Sequence, residues 1–252
     1  MPAYRLDIAY DGTAFRGYAR NEGVRTVQGE LEAVIAKVAG HPVDTTVAGR
    51  TDAGVHARHN VIGFEVPEAL DPVRLARAVT SLLGPEIVAT AAADAHEGFN
   101  PRFEASARVY RYAIDRGPVP DPLRRWSAWH VPDPLDLPAM QQAAGSLVGE
   151  HDFASLCRRA EGRSTVRTVA RAEWRAERTD LLVFETEASS FCHQMVRSMV
   201  ALCVAAGRGR LEPSAVQDIL EARDRNAARG AAPPHGLVLW EVRFPGAVTP
   251  GG

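Results

Sequence analysis

Residues 48–57 read Ala48-Gly49-Arg50-Thr51-Asp52-Ala53-Gly54-Val55-His56-Ala57, and His59 follows two positions later. A carboxylate in such a place can form a turn ahead of Ala-Gly, cap a helix, bind a metal with the two histidines, or do chemistry itself. The metal option needs a helix, which sets His56 and His59 on one face with Asp52 one turn earlier. No third nitrogen or sulfur ligand stands at metal spacing, and the residues after His59 alternate like a strand. No metal is expected. What remains is a lone carboxylate with an arginine two residues away. A nearby guanidinium favours the ionised form of an acid. Such a carboxylate can attack an electrophilic sugar or ring carbon. Arginines hold phosphates, and a tyrosine face stacks a base.

Other chemistries lack their marks. There is no G-x-S-x-G, no G-x-x-x-x-G-K-[ST] and no G-x-G-x-x-G, so no cradle for ATP or NAD and no cofactor is expected. Gly207-Arg208-Gly209-Arg210 reads as a helix cap followed by solvated arginines. The cysteines, Cys157, Cys192 and Cys203, are odd in number and widely spaced without a CxxC pair. That argues against a disulfide framework. Net charge is -2, and Lys37 is the only lysine among 29 basic residues. An anionic partner must therefore be gripped by arginine forks. No basic-then-apolar leader and no run of roughly 20 apolar residues is present. A soluble, cytoplasmic protein is expected.

The elements that must position Asp52 follow from periodicity. Tyr4, Leu6, Ile8 and Tyr10 alternate as a half-buried strand. Thr26 caps a helix with Val27, Leu31, Val34 and Val38 on one face, stopped at Gly40. Strands are expected over 43–48, 60–66, 87–93, 107–115 and 237–244, and a hairpin over 165–187. Helices are expected over 72–83, from 137 to about 147, over 194–206, where nearly every residue is apolar, and over 213–222. A Pro-rich excursion with Trp126 and Trp129 spans 117–138. Strands and helices mix without a βαβ rhythm, which predicts an α+β fold with a mainly antiparallel sheet flanked by helices. Two similar halves are expected. Residues 1–100 carry the Asp52 loop, and residues 101–252 form the second half.

The decapeptide at 48–57 resembles the signature of the TruA family of tRNA pseudouridine synthases. Further segments agree in order: Tyr10-Asp11-Gly12-Thr13 with Phe15 and Gly17, Val27-Gln28 with Leu31-Glu32, Phe103 to Tyr112, Phe191 to Arg197, and Gly236 to Pro245. The resemblance covers nearly the whole chain. It implies the pseudouridine synthase fold and a cofactor-free isomerase that turns uridine into pseudouridine in the anticodon arm of tRNA, at positions 38 to 40. It also implies a homodimer with RNA contacting both subunits. Asp52 falls at the family's catalytic aspartate, as nucleophile or base, on ribose or on the ring. Arg197 falls at the arginine that pairs with it, and Tyr110 at the tyrosine stacking on the target base. Arg50 falls at the arginine that takes the flipped base's place or steadies its phosphate. Leu237 and its neighbours form the apolar wall of the uracil pocket.

The chain departs from the family at Gly17-Tyr18-Ala19, where Gly-Trp-Gln is common, and at Thr80-Ser81-Leu82-Leu83-Gly84, where asparagines often precede Leu-Pro. The alternative reading, from another class, is a non-catalytic RNA-binding module. It would keep the arginines without needing Asp52, Tyr110 and Arg197 together.

Overall fold

The computed structural model describes residues 1–158, 162, 164–228 and 230–246. The chain divides into two compact units, one of Met1–Arg108 with the chain from Val238 onward, the other of Val109–Leu237. Each is an antiparallel-rich sheet with helices, the α+β architecture expected from the mixed periodicities.

The first unit begins with strand β1 (Ala3–Tyr10), whose inward residues Tyr4, Leu6, Ile8 and Tyr10 are buried. Helix α1 (Val27–Ala39) starts where the Thr26 hydroxyl accepts from the Gly29 amide, and Gly40 closes it. It buries Val27, Leu31, Val34 and Ile35, with Val38 only half-buried. Strand β2 is reduced to Thr46–Val47, and β3 runs His56–Glu65, starting earlier than expected because His56 and Ala57 pair with the last strand. Helix α2 (Pro72–Leu83) is capped by Asp71, and β4 (Ile87–Ala95) follows. A short helix, α3 (Pro101–Glu104), precedes β5 (Ala107–Asp115).

The second unit takes most of β5, then β6 (Trp129–His130), which interrupts the Pro-rich excursion. Helix α4 (Leu137–Gly145) leads to β7 (Gly149–Asp152), four residues that left no legible alternation. Strands β8 (Val166–Arg178) and β9 (Leu181–Ala188) form the expected hairpin. Helix α5 (Met195–Gly207) buries ten of its 13 residues, as a helix apolar on every side must. Helix α6 (Ala215–Ala222) is amphipathic, and β10 (Leu237–Arg243) closes the chain. The sheet of the second unit runs β5-β9-β8-β7 with β6 parallel to β5.

In the first unit the order is β4-β1-β3-β10, with β10 parallel to β3 and β2 antiparallel to it. Ile8 faces Asn60 but Tyr10 faces Ala57, so β3 carries one extra residue just after the 48–57 loop. Bulges of this kind turn a strand end and re-aim its side chains. Among the described residues, no helix is long and apolar enough to cross a membrane.

The cysteines correct the sequence reading. Cys157 and Cys192 are joined as a disulfide, their Cα atoms 5.7 Å apart, while Cys203 is free and buried. Sequence spacing did not report proximity, because the turn after β7 and the segment before α5 meet in space, with the Arg158 amide donating to the His193 carbonyl at 2.9 Å.

Beside the bulge, the Val242 amide donates to His59 Nδ1 at 3.2 Å, so Nε2 carries the proton and donates to Asp7 at 3.1 Å. Burial pushes the Asp7 carboxyl up, but the bonds from His59 and Arg5 outweigh it and hold it below its ordinary 3.8. A depressed acid contributes stability above its unfolded value and loses it as pH falls through the folded one. Unfolding measured from pH 7 down to pH 2 should show Asp7→Asn less stable than the parent at neutral pH, with a flatter acid limb.

Candidate active site

The loop joining β2 to β3 is held from several sides, all within the first unit. Asn60, fully buried on β3, closes both polar groups of Gly49: Nδ2 donates to the Gly49 carbonyl at 2.7 Å, and Oδ1 accepts the Gly49 amide at 3.2 Å. Asn60 Nδ2 also donates to the Tyr10 hydroxyl at 3.3 Å. The Tyr10 hydroxyl also shares a hydrogen bond with Thr51 Oγ1, 2.8 Å away. Burial pushes the Tyr10 hydroxyl up to about 12, which keeps it a neutral donor. The Tyr18 amide donates to the Thr51 carbonyl at 3.0 Å. Upstream, the buried Arg108 donates to the Ala48 carbonyl from Nε and Nη2, and to the carbonyls of Ala105 and Arg102.

After this anchor the chain turns. The Val55 amide donates to the Asp52 carbonyl at 3.1 Å, and Gly54, third residue of the turn, has φ 77°. That angle at that place is why a glycine stands there. Gly12 lies directly under the turn, and a Cβ there would come within 2.0 Å of the Val55 carbonyl oxygen. Asp52 is thus presented, half-buried, at the tip of a loop whose backbone is fixed on both sides, and Arg50 is exposed on the same loop. His56 Nδ1 is 3.1 Å from the Gly12 amide, which donates to it when the ring is neutral, and 3.0 Å from Asp11, which it pairs with only when protonated. Both histidines lie on β3 and serve local contacts. Among the described residues no group of three or more His, Cys, Asp or Glu is arranged to hold a metal.

Three expected residues belong to the second unit. Tyr110, on β5, is buried, with the Phe191 ring edge-on at 5.2 Å. Arg197 sits in the first turn of α5. Its Nε donates to the Ala232 carbonyl at 2.7 Å, and the Ala232 amide donates back to the Arg197 carbonyl at 2.9 Å. That reciprocal pair fixes both backbone and stem of the arginine. Leu237 is buried at the start of β10. The Tyr112 hydroxyl donates to the Pro233 carbonyl at 2.8 Å, which ties the 232–237 segment to β5. Arg208 is not solvated as expected: it pairs with Asp133 at 2.6 Å and lies over the Trp129 ring.

Sequence reasoning passed over Asn60, Tyr10 and Arg108 as clamp residues. Arg108 stood in plain view inside the Ala107–Tyr112 segment, but a buried arginine that serves only backbone carbonyls has no spacing to mark it.

A match to a family supports the signature. The chain matches the tRNA pseudouridine synthase family over residues 8–104 and 143–245, segments that include Asp52 and Arg197 but not Tyr110. It is 45% identical over 243 residues to tRNA pseudouridine synthase A of Frankia casuarinae, covering 96% of this chain and 89% of that protein. The enzyme of the same name from Leifsonia xyli is 41% identical over 263 residues, covering 96% and 91%. That of Fervidobacterium nodosum is 40% identical over 246 residues, covering 97% and 100%. An α+β chain that matches over nearly its full length, with its signature loop rigidly held, is of the pseudouridine synthase class. The chain belongs to the tRNA pseudouridine synthase family.

Truncating Asn60 leaves the half-buried amide and carbonyl of Gly49 without their partner. Asn60→Ala should cost about 2 kcal/mol, which lowers Tm by roughly 4–8 °C in a chain of this size. Thermal unfolding followed by circular dichroism measures it.

Proposed function

We propose that this protein isomerises uridine to pseudouridine in the anticodon arm of tRNA, at positions 38 to 40, with Asp52 as the reacting carboxylate. The observation that carries the reading is the Asp52 loop: a single acid on a turn with no backbone freedom, in a chain of this family. The reaction breaks the N-glycosidic bond, turns the uracil and joins its carbon to the same ribose carbon. Atoms and electrons balance within one nucleotide, so no outside group enters. Asp52 acts as nucleophile or base, and Arg197 is the cation that keeps it ionised and aimed. Tyr110 offers its ring to the target base, and Leu237 an apolar wall. Arg50 takes the place of the flipped base or steadies its phosphate.

Flipping a base out of a stem costs a few kcal/mol, which the protein must recover through contacts to the rest of the arm. Arginine supplies them, and a homodimer brings the arginines of two subunits to one RNA despite a net charge of -2 per chain. A cytoplasmic location goes with such a substrate.

Two measurements test the reading. Asp52→Asn should form no pseudouridine in a tRNA transcript with uridine in the anticodon arm, while binding that tRNA as the parent does. Wild-type turnover in Asp52→Asn would sink the mechanism, and binding by a parent that never isomerises would instead favour a non-catalytic RNA module. Affinity of the Asp52→Asn protein for tRNA should fall steeply and linearly with log salt concentration. A flat salt profile would count against arginine–phosphate contacts as its source.

A further inference from the structure

Helix α5 is entered through an unfavourable backbone. Gln194 precedes its first residue with φ 66°, in the left-handed region that a residue with a side chain adopts only when its surroundings compel it. No side chain caps this helix end. Gln194 is the third residue of a turn that the Met195 amide closes on the Cys192 carbonyl at 3.0 Å, and its side chain is held by Arg225, which lies in the turn after α6. Its Nη2 donates to Gln194 Oε1 at 3.2 Å. Its Nη1 donates to Ser198 Oγ at 2.8 Å and to the Ser155 carbonyl at 3.4 Å. Ser198, fully buried, in turn donates its amide to the Gln194 carbonyl at 3.0 Å.

One guanidinium thus holds the residues on either side of the Met195–Arg197 turn. Its placement is costly. Burial, and then the charge of Arg197, push the Arg225 guanidinium below its ordinary range. Like charges this close disfavour each other's ionised form, so the hydrogen bonds that Arg225 makes have that cost to offset. A fork that reaches Gln194 and Ser198 together is something only arginine provides.

We propose that Arg225 is a positioning residue for Arg197: it locks the left-handed entry and first turn of α5, and so sets the direction from which the Arg197 guanidinium is offered. The proposal rests on the pseudouridine synthase function given above. Arg225 acts through Gln194 and Ser198 and needs no contact with the reacting nucleotide.

Single-turnover kinetics on the same tRNA transcript, with the tRNA Kd and Tm of each variant, test it. Arg225→Ala should lose about 100-fold in the rate of pseudouridine formation, the scale of a misaimed group, with its tRNA Kd unchanged. Arg225→Lys keeps the charge but cannot span both acceptors, so it should recover only part of the rate. Ser198→Ala removes one acceptor and should show a smaller loss, and its double variant with Arg225→Ala should fall short of the summed effects.

A folded Arg225→Ala protein with parental rate overturns the proposal. So does full recovery in Arg225→Lys, which would make the charge alone sufficient, and so does a weakening of tRNA binding that accounts for the lost rate. If Arg225→Ala does not fold, Ser198→Ala decides: a slowed rate at parental Kd supports the positioning role, and a parental rate overturns it. The parent enzyme in the same assay separates the two questions, because an inactive parent overturns the function and this proposal together, whereas an active parent beside an unaffected Arg225→Ala overturns this proposal alone.

Discussion

Both hydrogen-bonding groups of Gly49 are closed by a single side chain, that of Asn60, and the position of Asp52 hangs on this pair. A loop carboxylate is ordinarily free to sample many directions, and each residue left free costs roughly 1–2 kcal/mol of conformational entropy to order when substrate arrives. Here that ordering is completed during folding. Asn60 sits on β3, Tyr10 on β1 and Arg108 on β5, so the loop inherits the rigidity of sheet strands. The bulge near the start of β3 contributes to the geometry, since the extra residue lies where the loop gives way to the strand.

The second unit solves a related problem with a helix. Arg197 projects from the first turn of α5, and a helix end is where a helix frays unless something closes it. The apolar body of α5 sets the axis by burial, and Ala232 grips both the backbone and the side chain of Arg197. Gln194 and Arg225 define the entry. In each unit a candidate residue is held by polar bonds from its surroundings: the Asp52 loop through Asn60 in the first, and Arg197, in the first turn of α5, through Ala232 in the second.

Much of this was legible in advance, for physical reasons. Strands with one wet face write a period of two, as in Tyr4 to Tyr10, and α5 writes its burial as a run in which nearly every residue is apolar. Caps are local, so Thr26 and Gly40 announced the ends of α1. The Asp52 loop was legible because its residues are contiguous. Short or edge elements were not: β2 kept only two of six expected residues, and β7 was missed. The Cys157–Cys192 bond is not legible, because separation along a chain carries little information about distance across a hairpin. Nothing in Gly207-Arg208-Gly209-Arg210 marks that Asp133 and Trp129 hold Arg208, because both lie far from it in the chain.

The sequence by itself determined the local alphabet of this protein: which of the longer segments are strands and helices, that Asp52 lies on a turn at a glycine, and that arginine carries nearly all the positive charge. These depend on neighbours within a few residues, where backbone sterics and side-chain period act. Only the tertiary structure decided what fixes the turn. Asn60 reaches Gly49, Arg108 reaches Ala48, β10 returns to lie along β3, and Arg225 reaches Gln194 and Ser198. Each of these joins residues far apart in the chain, and a buried polar side chain shows its purpose only when the backbone group it satisfies has been brought to it.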